Sequence, residues 1–433
     1  MKTPNEAARV HFTGCGGAGM VGLALIDLKR GRTVSGSDLK DSHNVELLRQ
    51  RGAKVAIGHA AAHLRLGGAP PDLLVYSSAV KQDNPELAAA RALGVPTMRR
   101  GEYLGVVAAS CRRSVAVGGS HGKTTVTAMV VHILRSLGRD PGFMIGGSPV
   151  GMEIPADAGD GDIFVTEADE SDLSMLHLTP TVAVVTNVED DHCWSTGGRD
   201  ALYAGFARFA SQSGELVYGQ SEVADVVFAQ VGKKTAIRLD ERTTACFRSV
   251  KQWGGFQRDD AVLAVEACLR LGVGRDEAVE AAKSFPGVKR RMRELLDHDG
   301  VTLMEDYAHH PTELRASLAA LRERFPGKWL RVVFQPHRYA RLERYLTEFA
   351  AVLATADAVV VAPVFAAWTE TGKVESADLA AAVGPKARAT RLSWPELAAE
   401  LAASCQPPEV LAVLGAGDVD ELLPELQRLI RQR

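Results

Sequence analysis

The stretch VAVGGSHGKTTVTAM, residues 115–129, constrains the chain most. A short apolar run meets a loop of small residues, then Lys123, Thr124 and Thr125. Val126, Met129, Val130, Ile133, Leu134 and Leu137 then recur at helical spacing, and Gly138 ends the pattern. That order reads as strand, loop and helix, the building unit of a parallel α/β sheet. The loop also carries what a bound phosphate requires. Small residues let backbone N–H groups converge, the helix N-terminus favours negative charge, Lys123 neutralises it, and a Thr hydroxyl can reach a magnesium ion. Counted from Gly118 the spacing is G-x-x-x-G-K-T, one residue shorter than the common phosphate loop, and Val117 stands where the longer form has glycine.

Two further segments open α/β patterns of their own. The first runs from the strand-like ARVHFTG through the loop GCGGAG, an Ala/Leu-rich helix and a second strand, TVSGSD. Gly14, Gly16 and Gly19 match G-x-G-x-x-G, and Asp38 follows about 20 residues later, at the end of the next strand. A diphosphate on a helix N-terminus with an acid near a hydroxyl explains this pattern, and NAD or a nucleotide-sugar would serve. The last segment begins near Arg291. VTLMEDYAHHP reads as a strand entering a polar turn, PTELRASLAALRERF as an amphipathic helix, and LRVVFQPHR, ADAVVVAPV and EVLAVLGAG as three more strands.

The 433 residues suffice for several cores, and a formal net charge of −3 with no polybasic run does not indicate a nucleic-acid or membrane partner. Six cysteines, none in a CxxC pair, read as reduced thiols of a cytoplasmic protein. No run reaches the roughly 18 apolar residues of a membrane span.

Two acidic stretches follow buried-strand candidates. DIFVTEADE leads to Glu167, Asp169, Glu170 and Asp172, and TVAVVTNVEDDH leads to Asn187, Glu189, Asp190, Asp191 and His192. Acids and an imidazole at strand ends beside a phosphate loop suit a divalent cation. EDYAHHPTE holds Tyr307, His309 and His310, and QPHRYAR holds His337, Arg338 and Arg341. Read as strand residues, the adjacent histidines would face opposite ways and would not share a metal. Two arginines three apart suit a carboxylate or phosphate.

Together these stretches resemble the Mur ligases. The resemblance covers nearly the whole chain and rests on HFTGCGGAGMVGLA, VYSSAVKQDNPEL, GGSHGKTT, EADESDLSMLHLTP, TNVEDDH, FPGVKRR, DYAHHPTE and FQPHRYAR. It implies three α/β domains: a Rossmann-like domain over 1–108, a central P-loop ATPase-type parallel-sheet domain over 109–290 and a C-terminal Rossmann-like domain over 291–433. It also accounts for the short phosphate loop. The implied chemistry is ATP- and Mg²⁺-dependent joining of L-alanine to UDP-N-acetylmuramate through an acyl phosphate. Carried across by matching position, Gly14, Cys15, Gly16, Gly17, Ala18, Gly19, Asp38, Ser77 and Ser78 would hold the uridine nucleotide. Gly118, Gly119, Ser120, His121, Gly122, Lys123, Thr124 and Thr125 would hold ATP. Thr124, Glu167 and His192 would hold the metal, Arg291 would face the transferred phosphoryl group, and Tyr307, His309, Arg338 and Arg341 would take the amino acid. Lys123, Glu167, His192, Arg291 and His309 are the implied catalytic set.

The chain departs from the family pattern in places. Phe256-Gln257 stands where a His-Asn pair is expected at the adenine end of the ATP site, Met292 replaces a phenylalanine, and GAGD ending in Asp418 replaces GAGN. A ligase that returns a preformed peptide to the same sugar nucleotide, and a relative that binds without turnover, are the alternative readings. An NAD oxidoreductase built on GCGGAG would leave GGSHGKTT without a purpose.

Overall fold

The computed structural model describes residues 3–191, 193–367 and 371–433. His192 therefore lies outside the described residues. The strands form three sheets. The first contains β1 (Arg9–Thr13), β2 (Thr33–Asp38), β3 (Lys54–Ile57), β4 (Leu73–Tyr76) and β5 (Thr97–Arg99), all parallel, in the order β3-β2-β1-β4-β5. The order reverses between β1 and β4, and a crevice forms outside their carboxyl ends. The GCGGAG loop leaves β1 at that point.

The second sheet contains β6 (Arg113–Gly118), β7 (Gly142–Met144), β8 (Ala156–Asp157), β9 (Ile163–Glu167), β10 (Val182–Val185), β11 (Glu215–Gly219) and β12 (Lys234–Ile237). Their order is β12-β11-β10-β6-β9-β7-β8, with only the edge hairpin β7–β8 antiparallel. β6 is central, between β10 and β9, which is why its residues are almost wholly buried and apolar rather than alternating. The phosphate loop and both acidic stretches leave the carboxyl ends of these three neighbours. One continuous core packs the first two sheets, with Phe12, Phe164, Phe206 and Phe209 fully buried in it. Each such side chain contributes about 1.5–3 kcal/mol of burial.

The third sheet contains β13 (Arg293–His298), β14 (Val301–Asp306), β15 (Trp329–Phe334), β16 (Ala358–Val361), β17 (Ala387–Ala389) and β18 (Glu409–Leu414), in the order β13-β14-β18-β15-β16-β17. β13 pairs antiparallel with β14, and the rest are parallel. Two apolar clusters cover its faces. Leu314, Leu318 and Leu321 of the helix Pro311–Arg324 supply one, and Leu397, Leu401 and Leu426 the other. By internal contacts the chain forms two compact bodies, Met1–Phe247 with Asp259–Pro286, and Arg248–Arg258 with Gly287–Arg433. The first body holds the first two sheets and the second body holds the third.

Candidate functional site

The helix Lys123–Ser136 begins where the chemistry of GGSHGKTT predicts, with Gly122 at its N-cap in a left-handed conformation (φ 83°). The N–H groups of a first helical turn have no partner within the helix. Upstream, the loop is clamped by the segment that continues β10. Ser120 N donates to Asn187 O at 3.1 Å, His121 N donates to Asn187 Oδ1 at 3.0 Å, and Asn187 Nδ2 returns a bond to His121 O at 3.1 Å. Glu189 N donates to Ser120 Oγ at 2.9 Å, and His121 pairs with Glu189 at 3.3 Å. Gly119 (φ 128°) must be glycine here, because a Cβ would lie 2.0 Å from Thr186 Oγ1.

Lys123 turns back over this loop. Its Nζ donates to Gly119 O at 2.6 Å, to Ser120 O at 3.3 Å and to Glu170 at 2.9 Å. Burial opposes its charge, but Glu170, Asp169 and Glu167 outweigh it and hold the ammonium above its ordinary range. Glu170 sits at the other side of that balance. Burial, reinforced by Asp169, pushes its carboxyl up to about 7 against the pull of Lys123. Asp169 accepts from Ser171 N at 2.9 Å, and Lys123 and that amide hold its carboxyl low despite burial. Glu167, at the end of β9, accepts from Gly146 N at 2.6 Å.

A cavity of about 450 Å³ opens beside these residues, within the usual range for small-molecule sites. Lys123, Glu167 and Asp169 line one side, and Ala18, Gly19 and Ser78 of the first sheet's loops line the other. The two glycine loops of the sequence thus serve one cavity. The first loop is itself tied down. Gly14 N and Cys15 N donate to Ser37 O at 2.8 and 3.0 Å, and Asp38 accepts from Gly16 N at 2.9 Å and Lys40 N at 3.1 Å. Asp38, expected beside a hydroxyl, therefore also fixes the loop's shape. Gly14 packs against Ser77, where a Cβ would lie 3.1 Å from the serine Cβ. Cys15 is buried, and burial together with Asp38 raises its thiol to about 12, so it serves packing rather than reactivity.

The residues expected to hold an amino acid cluster in the second body. Asp306, at the end of β14, accepts from Met292 N and Tyr307 N and from Ser317 Oγ, so it shapes both the Arg291 turn and the Tyr307 loop. Arg290 and Arg291 lie over the Tyr307 ring at 4.9 and 4.7 Å. His309 lies in a loop, not in a strand. Its Nδ1 is 3.0 Å from Tyr307 O, and Glu313 is 3.2 Å from it. His310 is buried and N-caps the helix Pro311–Arg324, a structural duty that separates the pair more decisively than strand alternation would. His309 packs edge-on to His337, His337 stacks on Phe365, and Arg341 reaches His337 Nδ1 at 3.3 Å. Arg338 occupies the N-cap of the helix Tyr339–Arg344 with φ 69°, its N–H bonded to Phe365 O.

Phe256 packs on the apolar core of the second body, and Gln257 Oε1 accepts from Gly254 N at 2.9 Å, capping the helix Gly255–Arg270. Asp260 of the same helix lies against Gly122, where a Cβ would sit 2.6 Å from its Oδ1. Asp418 keeps the hydrogen bond an asparagine oxygen would make, accepting from Gln335 Nε2 at 2.7 Å. The roles of Asn187, Glu170 and Asp260 escaped the motif reading, because each depends on pairing across the fold.

Three family models match in sequence: "Mur ligase family, catalytic domain" over residues 9–112, "Mur ligase middle domain" over 117–244 and "Mur ligase, glutamate ligase domain" over 290–417. The chain belongs to the Mur ligase family. It is 38% identical to a UDP-N-acetylmuramate–L-alanine ligase of Saccharopolyspora erythraea, over 96% of this chain and 92% of that one. A ligase of the same name from Acidothermus cellulolyticus is 39% identical, over 96% and 94%. The crystal structure of a UDP-N-acetylmuramate–alanine ligase from Thermotoga maritima superposes with a TM-score of 0.75 at 26% identity, covering 98% of each chain.

Proposed function

We propose that this chain joins L-alanine to the carboxylate of UDP-N-acetylmuramate, with ATP supplying the driving force, in the synthesis of peptidoglycan precursors. The observation that carries the reading is the single cavity lined both by the phosphate-loop Lys123 and by the glycine loop of the first sheet. A carboxylate is a poor electrophile at neutral pH. A site where a nucleotide-sugar and a phosphate loop meet allows that carboxylate to be phosphorylated in place.

In this reading the boundaries 1–108, 109–290 and 291–433 separate sugar-nucleotide, ATP and amino-acid functions. Gly14–Gly19, Asp38, Ser77 and Ser78 hold the uridine nucleotide, and Gly118–Thr125 hold the ATP phosphates. Lys123 exchanges Glu170 and the loop carbonyls for phosphate oxygens. The carboxylate oxygen attacks the γ-phosphorus and ADP leaves. The alanine amine then attacks the acyl carbon, and phosphate departs as the amide forms. Tyr307, Arg338 and Arg341 orient the amino acid, Arg291 faces the phosphoryl group, and His309 accepts the amine proton. The donor set fits a hard divalent cation, with a buried Thr124 and Glu167 on the cavity wall, and His192 would join them. Mg²⁺ held there would neutralise phosphate charge.

No helix among the described residues is long and apolar enough to cross a membrane; the proposed setting is the cytoplasm. The test is phosphate release from ATP with UDP-N-acetylmuramate and L-alanine present, each omitted in turn. Release that requires all three supports the reading. Release that needs a peptide in place of alanine, or none at all, overturns it.

A further inference from the structure

We propose that the seam between the first two sheets holds a second ligand site, one that takes a small organic anion with an apolar body. A cavity of about 500 Å³ lies between the helix Ala18–Lys29 and the hairpin β7–β8 at the edge of the second sheet. That volume is within the range of small-molecule sites. None of its lining residues lines the cavity beside Lys123.

The walls follow from how the two layers meet. At Gly22 the helix packs closely on Met144 and Ala156, where a Cβ would lie 3.1 and 3.2 Å from their side chains. The cavity opens one to two turns further along the helix, where Leu25 and Leu28 share a face beside Lys29. Phe143 of β7 faces them, and the loop that leads into β8 adds Met152 and Ile154. These five side chains offer an apolar body a surface from which it can release water.

Lys29, Arg51 and Arg135 also line the cavity, against Glu153 and Asp157. Lys29 Nζ donates to Asp157 Oδ1 at 2.5 Å and Arg135 Nη2 to Asp157 Oδ2 at 3.4 Å, so one carboxylate serves two cations. Asp140, 3.8 Å from Arg135 Nη2, stands outside the lining. Arg135 lies over the Phe143 ring at 4.5 Å, which sets a cation against the apolar wall. Arg51 Nη2 meets Glu153 at 3.4 Å, and the two side chains are 46% and 81% exposed. So exposed a pair is weak and readily exchanged. Both arginines use only Nη2 for their acids. Among the described residues their Nε and Nη1 make no hydrogen bond, so donors remain for an anion. A neutral apolar molecule leaves those donors unused, and a cation meets three like charges. An anion with an apolar body answers both walls.

The experiment is fluorescence titration with two probes, 8-anilinonaphthalene-1-sulfonate and N-phenyl-1-naphthylamine. They share one apolar body and differ by the sulfonate, and both brighten on leaving water. Wild type should bind the sulfonate at one saturable site, about 10- to 100-fold more tightly than the neutral probe, the range of a charge-assisted hydrogen bond. Saturating ADP with UDP should leave that affinity within about twofold. Arg51→Glu should weaken the sulfonate about tenfold or more while the neutral probe binds within about twofold of wild type, which also shows the variant is folded. Met152→Glu should weaken both probes about fivefold or more. No saturable binding in wild type, or equal affinity for the two probes, overturns the proposal. Displacement by ADP or UDP also overturns it, since the anion would then sit in the nucleotide cavity. So does sulfonate affinity that is unchanged in Arg51→Glu or in Met152→Glu.

Discussion

Replacing Glu170 with glutamine should tighten nucleotide binding, although the side chain sits among residues that serve the phosphate site. Both Glu170 oxygens lie 2.9 Å from Lys123 Nζ, and the glutamate side chain is 1% exposed. Above about pH 7, where Glu170 is ionised, two unit charges at that separation attract by about 6 kcal/mol at an effective dielectric constant of about 20. Desolvation of the buried carboxylate opposes most of this, and hydrogen bonds to charged groups contribute about 1.5–3 kcal/mol net. An incoming phosphate must displace that contact before Lys123 can serve it. Glutamine keeps an acceptor of the same shape but not the charge, so ADP should bind Glu170→Gln about 10- to 100-fold more tightly. The assay is calorimetric titration with ADP at fixed salt. Glu170→Asp keeps the charge but withdraws it from Nζ, and should lie between. ADP affinity that is unchanged or weaker in Glu170→Gln would refute the competition and make Glu170 a support for Lys123 instead.

Other outcomes follow from the same geometry. Lys123→Ala should reduce turnover below about one hundredth of wild type with the fold intact, as losing a charged transition-state contact does; unchanged turnover would remove the phosphate-loop assignment. Gly119→Ala, which places a methyl 2.0 Å from Thr186 Oγ1, should cost roughly 1–3 kcal/mol and weaken ADP binding, and a Tm equal to wild type would contradict the close approach. Glu86 is buried beneath the GCGGAG loop. Burial opposes its charge, but His11, Ser37 and Thr13 outweigh it and lower its carboxyl from 4.5 to about 2. The stabilisation is therefore present above about pH 4.5 and is lost as pH falls toward 2. It amounts to roughly 3 kcal/mol, which urea titrations across that range should show in wild type and not in Glu86→Gln.

Much of the fold was legible because buried parallel strands read as largely apolar runs that end at glycine, proline or polar residues. β6 with its loop, β9 and β10 are of this kind, and so are β14, β15, β16 and β18 in the last segment. β13 was not anticipated. Its sequence RELLDH mixes charge with two leucines on an antiparallel edge, and such a strand is fixed by its partner rather than by its own pattern. The short hairpin β7–β8 escaped for the same reason, with β8 only two residues long. The glycine loops announced themselves, since phosphate chemistry dictates their residue types. Arg100 stands in MRRGEY with no motif around it, and only the folded chain brings its side chain to the cavity wall and to Asp172. Phe256 and Gln257 read in the sequence as altered base contacts; in the structure Phe256 packs, half-buried, against an apolar core and Gln257 caps a helix.

The claim that matters most is that ATP phosphorylates a carboxylate held beside Lys123. It is tested most directly with UDP-N-acetylmuramate whose carboxylate oxygens are ¹⁸O, incubated with ATP, Mg²⁺ and L-alanine, and mass analysis of the phosphate released. The mechanism predicts one ¹⁸O in each phosphate, since the oxygen that attacked phosphorus leaves with it when the amide forms. Phosphate free of ¹⁸O, formed together with the amide product, would contradict an acyl phosphate.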